Sequence, residues 1–184
     1  MSILQKVDVP EGKRGNWTVE RFTIPKNDFK AWTYGHRAPS PGTYTRLLHG
    51  THCVMSDTYA EMRDHYGPVI NAKGHILLNG LGIGMVLNAC LAKPEVTKAT
   101  VIEIDADVIA LVAPHYNDKR VHIINADAYE YQPPKGVRYG MVWHDIWSDI
   151  CSDNLDGMKK LHRKYGRRSE WQGSWARYEC ERQR

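Results

Sequence analysis

Residues 75–85 read His-Ile-Leu-Leu-Asn-Gly-Leu-Gly-Ile-Gly-Met, an apolar run that opens directly onto three alternating glycines. His75 to Asn79 is too short for a helix and has the composition of a buried strand. Gly80, Gly82 and Gly84 permit a tight turn and let a ligand come close to the backbone. Met85 to Ala92 then reads as a helix, which Pro94 stops. Strand, glycine turn and helix in this order open a βαβ unit. The dinucleotide fingerprint G-x-G-x-x-G is not met. Counted from Gly80 it needs glycine at Met85, and counted from Gly82 it needs glycine at Leu87. An NAD-dependent oxidoreductase is therefore a distant reading.

Downstream of the glycines the rhythm repeats. Ala99 to Ile104 (ATVIEI), Val121 to Asn125 (VHIIN) and Tyr139 to His144 (YGMVWH) read as three further strands. Ala106 to Ala113 and Cys151 to Tyr165 read as helices. Continuous apolar strands alternating with helices predict a parallel sheet covered on both faces. Ligands of such sheets gather at the C-terminal ends of the strands. Upstream the rhythm is missing. Asn16 to Ile24 and Thr43 to Leu48 look like strands, and Pro39-Ser40-Pro41-Gly42 like a turn. Asp57 to Tyr66 reads as a short helix with Thr58 and Glu61 spaced as a capping box, ended by Gly67-Pro68. This divides the chain into a β-rich extension, residues 1–70, and an α/β unit, residues 71–184, within one compact body. His49-Gly50-Thr51-His52-Cys53 has metal-ligand residue types but no second cluster, and is expected to be a loop without metal.

Three acids stand in register with the glycine turn. Glu103 ends the second strand, 23 residues after Gly80 (103 − 80), close to the spacing of a ribose-binding acid. Asp127 follows the third strand, where a carboxylate can accept from an adenine amine. Asp145 follows the fourth, in Trp143-His144-Asp145-Ile146-Trp147, at the lip of the sheet. Each alone would be read as a helix cap. Together, behind one glycine turn, they are read as a ligand site.

Composition sets the outer bounds. With 42% hydrophobic and 25% charged residues and a net charge of +4, the 184-residue chain has the balance of a globular domain. Nine Lys/Arg between Met158 and Arg184 face three acids, Glu170, Glu179 and Glu181. Such a tail can follow phosphates, but Leu161, Tyr165, Trp171 and Trp175 interrupt it. A solvated helix face is therefore favoured over a nucleic-acid surface. Cys53, Cys90, Cys151 and Cys180 form no CxxC pair, Met1 to Pro10 carries no signal-peptide pattern, and no apolar run would span a bilayer. A cytoplasmic protein without a membrane segment is expected.

Gly80 to Gly84, Val101-Ile102-Glu103-Ile104-Asp105, Asp127 and Asp145 resemble the successive motifs of class I S-adenosylmethionine (SAM)-dependent methyltransferases. The branch looks similar to spermidine synthase, in which a β-rich region precedes the Rossmann sheet with a Tyr-His-Glu segment between them. Tyr59-Ala60-Glu61 occupies that place here. The resemblance covers roughly Thr43 to Asp149. It implies a Rossmann-like sheet, shortened after the fourth or fifth strand, and SAM as the cofactor. It assigns Asn79, Gly80, Leu81, Gly82, Gly84, Glu103, Ile104, Asp127, Ala128 and Asp145 to SAM. Tyr59, Glu61 and Trp147 are assigned to a substrate pocket, and Asp145 and His144 to catalysis, His144 as a base or as a wedged strand-end histidine. Three features depart from spermidine synthase: Leu81 and Ile83 flank Gly82 with no Asp, Ala60 replaces the His, and Asp145-Ile146-Trp147-Ser148-Asp149-Ile150 lacks the Pro. They weigh against aminopropyl transfer. The expected function is a SAM-dependent transferase, methyl before aminopropyl, with an unidentified and preferably small acceptor. The alternative is a protein that only sequesters or cleaves SAM. A sheet ending at an open edge would also invite pairing between copies.

Overall fold

The computed structural model describes residues 5–26 and 38–183. Two sheets stand side by side. The first is antiparallel, in the order β1 (Gly12–Arg14), β2 (Trp17–Ile24), β3 (Gly42–His49), β4 (His52–Ser56). β2 and β3 are the two strands expected. β4 falls where a loop was expected: His49 pairs with His52 across Gly50-Thr51, so the histidine-rich segment is a hairpin turn. Gly50, with φ of 59°, adopts the left-handed conformation that such a turn requires. The fully buried Asp57 accepts from the Val7 and Thr45 backbones at 3.0 and 2.7 Å, fastening the start of the chain to this sheet.

Helices α1 (Tyr59–Asp64) and α2 (Tyr66–Asn71) lead into the second sheet. Two details differ from the expectation. Thr58 makes no capping bond to the helix, because its hydroxyl pairs with that of Ser56 at 3.1 Å. Gly67-Pro68 does not end the helical segment but lies inside α2. Proline is tolerated in a first turn, where its missing N–H costs no helix bond. The break falls at His65 instead.

The second sheet is wholly parallel, in the order β7-β6-β5-β8-β9: β5 (Gly74–Asn79), β6 (Val96–Glu103), β7 (Val121–Asn125), β8 (Tyr139–His144) and β9 (Ser169–Ser174). Helices α3 (Met85–Leu91), α4 (Ala106–Val112) and α5 (Asn154–Tyr165) lie in the crossovers, and α6 (Arg177–Glu181) follows β9. β9 comes from the segment whose role was open in the sequence, and makes the sheet five-stranded. The larger core fills the face shared with α3 and the first sheet, with Ile76, Leu78, Val101, Met141 and Trp143 buried in it. A second core, with Leu77, Ile102, Val142, Leu161 and Tyr165, lies under α5. Alternate residues of one strand enter opposite cores, as the two-residue pleat dictates. Among the described residues no helix is long and apolar enough to cross a membrane, and no three His, Cys, Asp or Glu could hold a metal ion.

Candidate ligand cavity and its acids

From β5 the chain winds one way to β6 and β7, then returns to place β8 on the other side of β5. The gap between β5 and β8 is the switch point at which open α/β sheets bind ligands. There Asp145 N–H donates to the Asn79 carbonyl at 2.8 Å, joining the two strand ends. Gly80 has φ of 102°, and any Cβ on it would strike the Asp145 carbonyl, so only glycine fits. The turn it makes opens into a cavity of about 460 Å³, within the range of small-ligand sites.

Five carboxylates line the cavity: Glu61, Glu103, Asp105, Asp127 and Asp145. Among the described lining residues there is no lysine or arginine. Glu103, at the tip of β6, accepts from Leu81 N–H at 2.9 Å and Asp105 N–H at 3.0 Å, one on each oxygen. Burial raises its pKa, against those backbone bonds. Each of its oxygens keeps a second lone pair. Asp105 caps α4 through Oδ1 and receives Trp17 Nε1–H on Oδ2 at 2.7 Å. Asp127 accepts from Tyr129 N–H at 2.7 Å. Asp105 is thus a helix cap, whereas Asp127 anchors a turn with no helix after it, and both line the cavity. Ile104, largely exposed, and Ala128 stand between the acids as an apolar platform. Asp145 receives a bond on Oδ2 from His65 Nε2 at 2.8 Å.

The opposite wall comes from the first sheet. Trp17, Leu47, His49, His52 and Met55 line it there, and Trp175, after β9, joins the lining. The rings of Trp17 and His49 meet at a tilt of 37°, with centroids 4.7 Å apart. The Met55 sulfur rests against Gly82, another position at which a Cβ would not fit. Glu61 and Trp147 line the cavity.

The remaining assigned residues lie outside it. Tyr59 packs edge-on against Tyr44, 6.1 Å away, with half its surface exposed. Leu81 is buried in the core and contributes its N–H to Glu103, while Gly84 begins α3 under the ring of Tyr116. Asn79 is buried behind the turn, where its Nδ2 donates to His144 Nδ1 at 2.7 Å. His144 must be corrected as a catalytic base. It is fully buried, packed against Tyr165 and His162, and burial, with His162 nearby, holds its pKa at about 3. The pleat explains this: Trp143 faces one core, His144 the other, and only Asp145, past the strand, reaches the cavity.

Sequence reasoning missed His65, the cavity wall from the first sheet, and Trp175. Each is brought to the cavity by tertiary packing, and the residue types at His49 and His52 suggested a metal rather than a cavity wall.

No protein-family model and no curated protein matches the sequence. Among solved structures, a proposed RNA methyltransferase of Pyrococcus horikoshii is similar over 66% of this chain and 64% of its own, at 13% identity and a TM-score of 0.50. Spermidine synthase of Thermotoga maritima is similar over 83% of this chain at 18% identity and a TM-score of 0.48, and the chain spans about half of that protein, 52%. The 23S rRNA methyltransferase ErmE is similar over 61% of this chain at 15% identity and a TM-score of 0.47. The archaeal likeness, with the 3-2-1-4-5 order of the parallel strands, gives the chain a Rossmann-like methyltransferase fold.

Proposed function

We propose that the chain is a SAM-dependent transferase that moves a methyl group to an acceptor, with the cavity at the β5–β8 switch point as its site. The observation that carries this reading is the charge of the lining: five carboxylates and, among the described residues, no lysine or arginine. Such a lining favours a cationic ligand and disfavours the pyrophosphate of a dinucleotide. The fit is also steric. Gly80 and Gly82 present no side chain to the cavity, while Leu81 and Ile83 turn into the core, and the platform of Ile104 and Ala128 offers an adenine an apolar face. In this reading Glu103 takes the ribose hydroxyls on its remaining lone pairs, Asp127 the adenine amine, and Asp145 the amine of SAM or of the acceptor.

SAM bound there would supply an electrophilic methyl on sulfur, displaced in line by the acceptor. The residues of the chain mainly position and shield that displacement. Trp147, Trp175 and Met55 exclude water, and the glycine turn fixes the depth of the ligand. His144 is sealed away from the cavity, so a proton lost by the acceptor would pass to a cavity carboxylate or to solvent. A small acceptor suits a cavity of about 460 Å³ whose described lining holds no lysine or arginine to meet a phosphate backbone.

The test is incubation of the protein with methyl-labelled SAM and fractionated cell metabolites. Label transferred to a metabolite supports the proposal. Labelled methylthioadenosine would indicate SAM cleavage or transfer of its aminocarboxypropyl group, and labelled decarboxylated SAM in place of SAM tests aminopropyl transfer. Label that remains in SAM with every fraction would reduce the protein to a SAM binder.

A further inference from the structure

The motifs leave one buried group of the site unexplained, His65. It lies between α1 and α2, fully buried, with Nδ1 2.7 Å from the Glu61 carbonyl oxygen and Nε2 2.8 Å from Asp145 Oδ2. A neutral imidazole has one N–H and one lone pair. Here both ring nitrogens face acceptors, so two good hydrogen bonds require two protons. The ring is therefore an imidazolium paired with the Asp145 carboxylate. Burial pulls its pKa down, but the bond and charge of Asp145, with the Glu61 carbonyl, overcome this and hold it at about 8.

Among the described residues, the other elements packed around α1 and α2 bring no competing charge to the ring. β8 and β9 present the rings of Trp143, 5.8 Å from His65, and Trp171, against Gly67. α3 carries no charged residue. Lys93 is bound at the far end of α2, to the Val69 and Ile70 carbonyls. Among the described residues, the charges that act on the ring are those of Asp145 and Glu61. On the cavity side, Asp145 Oδ1 receives no hydrogen bond from the described residues, although Asp145 lines the cavity.

We propose that His65 is the positioning residue of this site, fixing Asp145 through Oδ2 while Oδ1 receives a cationic group, and that arrival of that cation expels the His65 proton. The proposal rests on the reading of the cavity as a SAM site. Its physical basis is that two cations then share one carboxylate across a few ångströms of buried space. Their mutual repulsion is worth on the order of a hundredfold in an equilibrium constant at an effective dielectric constant near 20. The step is a proton transfer only: one ring N–H bond breaks, its electron pair stays on nitrogen, and the proton leaves by way of Asp145 to the solvent. One of the two ring hydrogen bonds is given up, and the contact of Asp145 with the incoming cation replaces it.

Calorimetric titration with SAM near neutral pH, in buffers of different ionisation heat, counts the protons released. His65→Gln keeps an N–H directed at Asp145 but cannot titrate, so it removes the contribution of His65 alone. The wild type is expected to release roughly half to one proton per SAM more than His65→Gln. Equal counts overturn this proposal and leave the SAM reading intact, whereas absence of SAM binding to the wild type overturns both. Should His65→Gln fail to fold, nitrogen NMR of the wild-type His65 ring decides. Both nitrogens should carry protons without ligand at neutral pH and one should lose its proton at SAM saturation. A ring that is neutral from the start, or unchanged by SAM, overturns the proposal.

Discussion

Replacing Glu103 tests the ribose assignment, and the structure determines how the substitution must be designed. Glu103→Ala would leave the Leu81 and Asp105 N–H groups without the acceptors they have at 2.9 and 3.0 Å. Unpaired buried donors cost about 1–3 kcal/mol each, enough to confuse lost folding with lost binding. Glu103→Gln keeps the shape and one acceptor oxygen, and turns the other into a donor. It should destabilise the fold by about 1–2 kcal/mol, since one backbone N–H then faces an amide N–H. For the ligand, one charge-assisted bond to a ribose hydroxyl is lost, worth about 1.5–3 kcal/mol, so SAM affinity should fall roughly tenfold to a hundredfold. Urea unfolding gives the first number and calorimetry on the folded variant gives the second. If Glu103→Gln is folded and binds SAM as tightly as the wild type, Glu103 serves the glycine turn and not the ligand.

Asp145→Asn should leave SAM affinity within about tenfold while cutting methyl transfer about a hundredfold or more, the scale of a lost electrostatic or acid–base contribution. Label-transfer rates with the acceptor identified from extract check this, and full activity would remove Asp145 from the chemistry. Stability should fall on acidification, because His144 is held neutral at about 3 and His75 at about 4 by burial, with Lys98 and His122 adding to the latter. The unfolded chain binds protons at these rings near pH 6.5, so their contribution is complete above that pH. It is lost between about pH 6.5 and 3, by a few kcal/mol for His144. His65 works in the opposite sense: its contribution is complete below about 6.5 and lost as pH rises through about 8. Urea unfolding across pH should therefore show a maximum close to pH 6.5–7, and NMR should find the His144 ring neutral at pH 5. A His144 that titrates normally in the folded protein would contradict its burial.

The parallel sheet was legible because its signals are local. The glycine turn can follow only a strand tip, the apolar runs at 99–104, 121–125 and 139–144 match β6, β7 and β8 within a few residues, and the acids at 103, 127 and 145 stand at the strand ends. What was not legible depended on partners distant in sequence. β9, Ser-Glu-Trp-Gln-Gly-Ser, has little strand propensity and forms because it can pair with β8. The His49–Cys53 segment gave its chemistry more prominently than its turn geometry, which hid β4. His144 and Asp145 are neighbours with the same polar signature, and only the pleat decides that one is buried and the other reaches the cavity. His65 carried no motif. Its meaning comes from Asp145, 80 residues away. In the same way, Tyr59 sits in the segment that resembles a ligand-binding one, yet its ring turns towards Tyr44 and out of the cavity.

The central claim, that the acid-lined cavity at the β5–β8 switch point takes a cationic adenosyl ligand, is tested most directly by calorimetric titration of the full chain with SAM and, separately, with NAD. Saturable binding of one SAM per chain is expected, with no heat of binding from NAD. Binding of NAD, or failure of SAM to bind the folded protein at millimolar concentration, would contradict it.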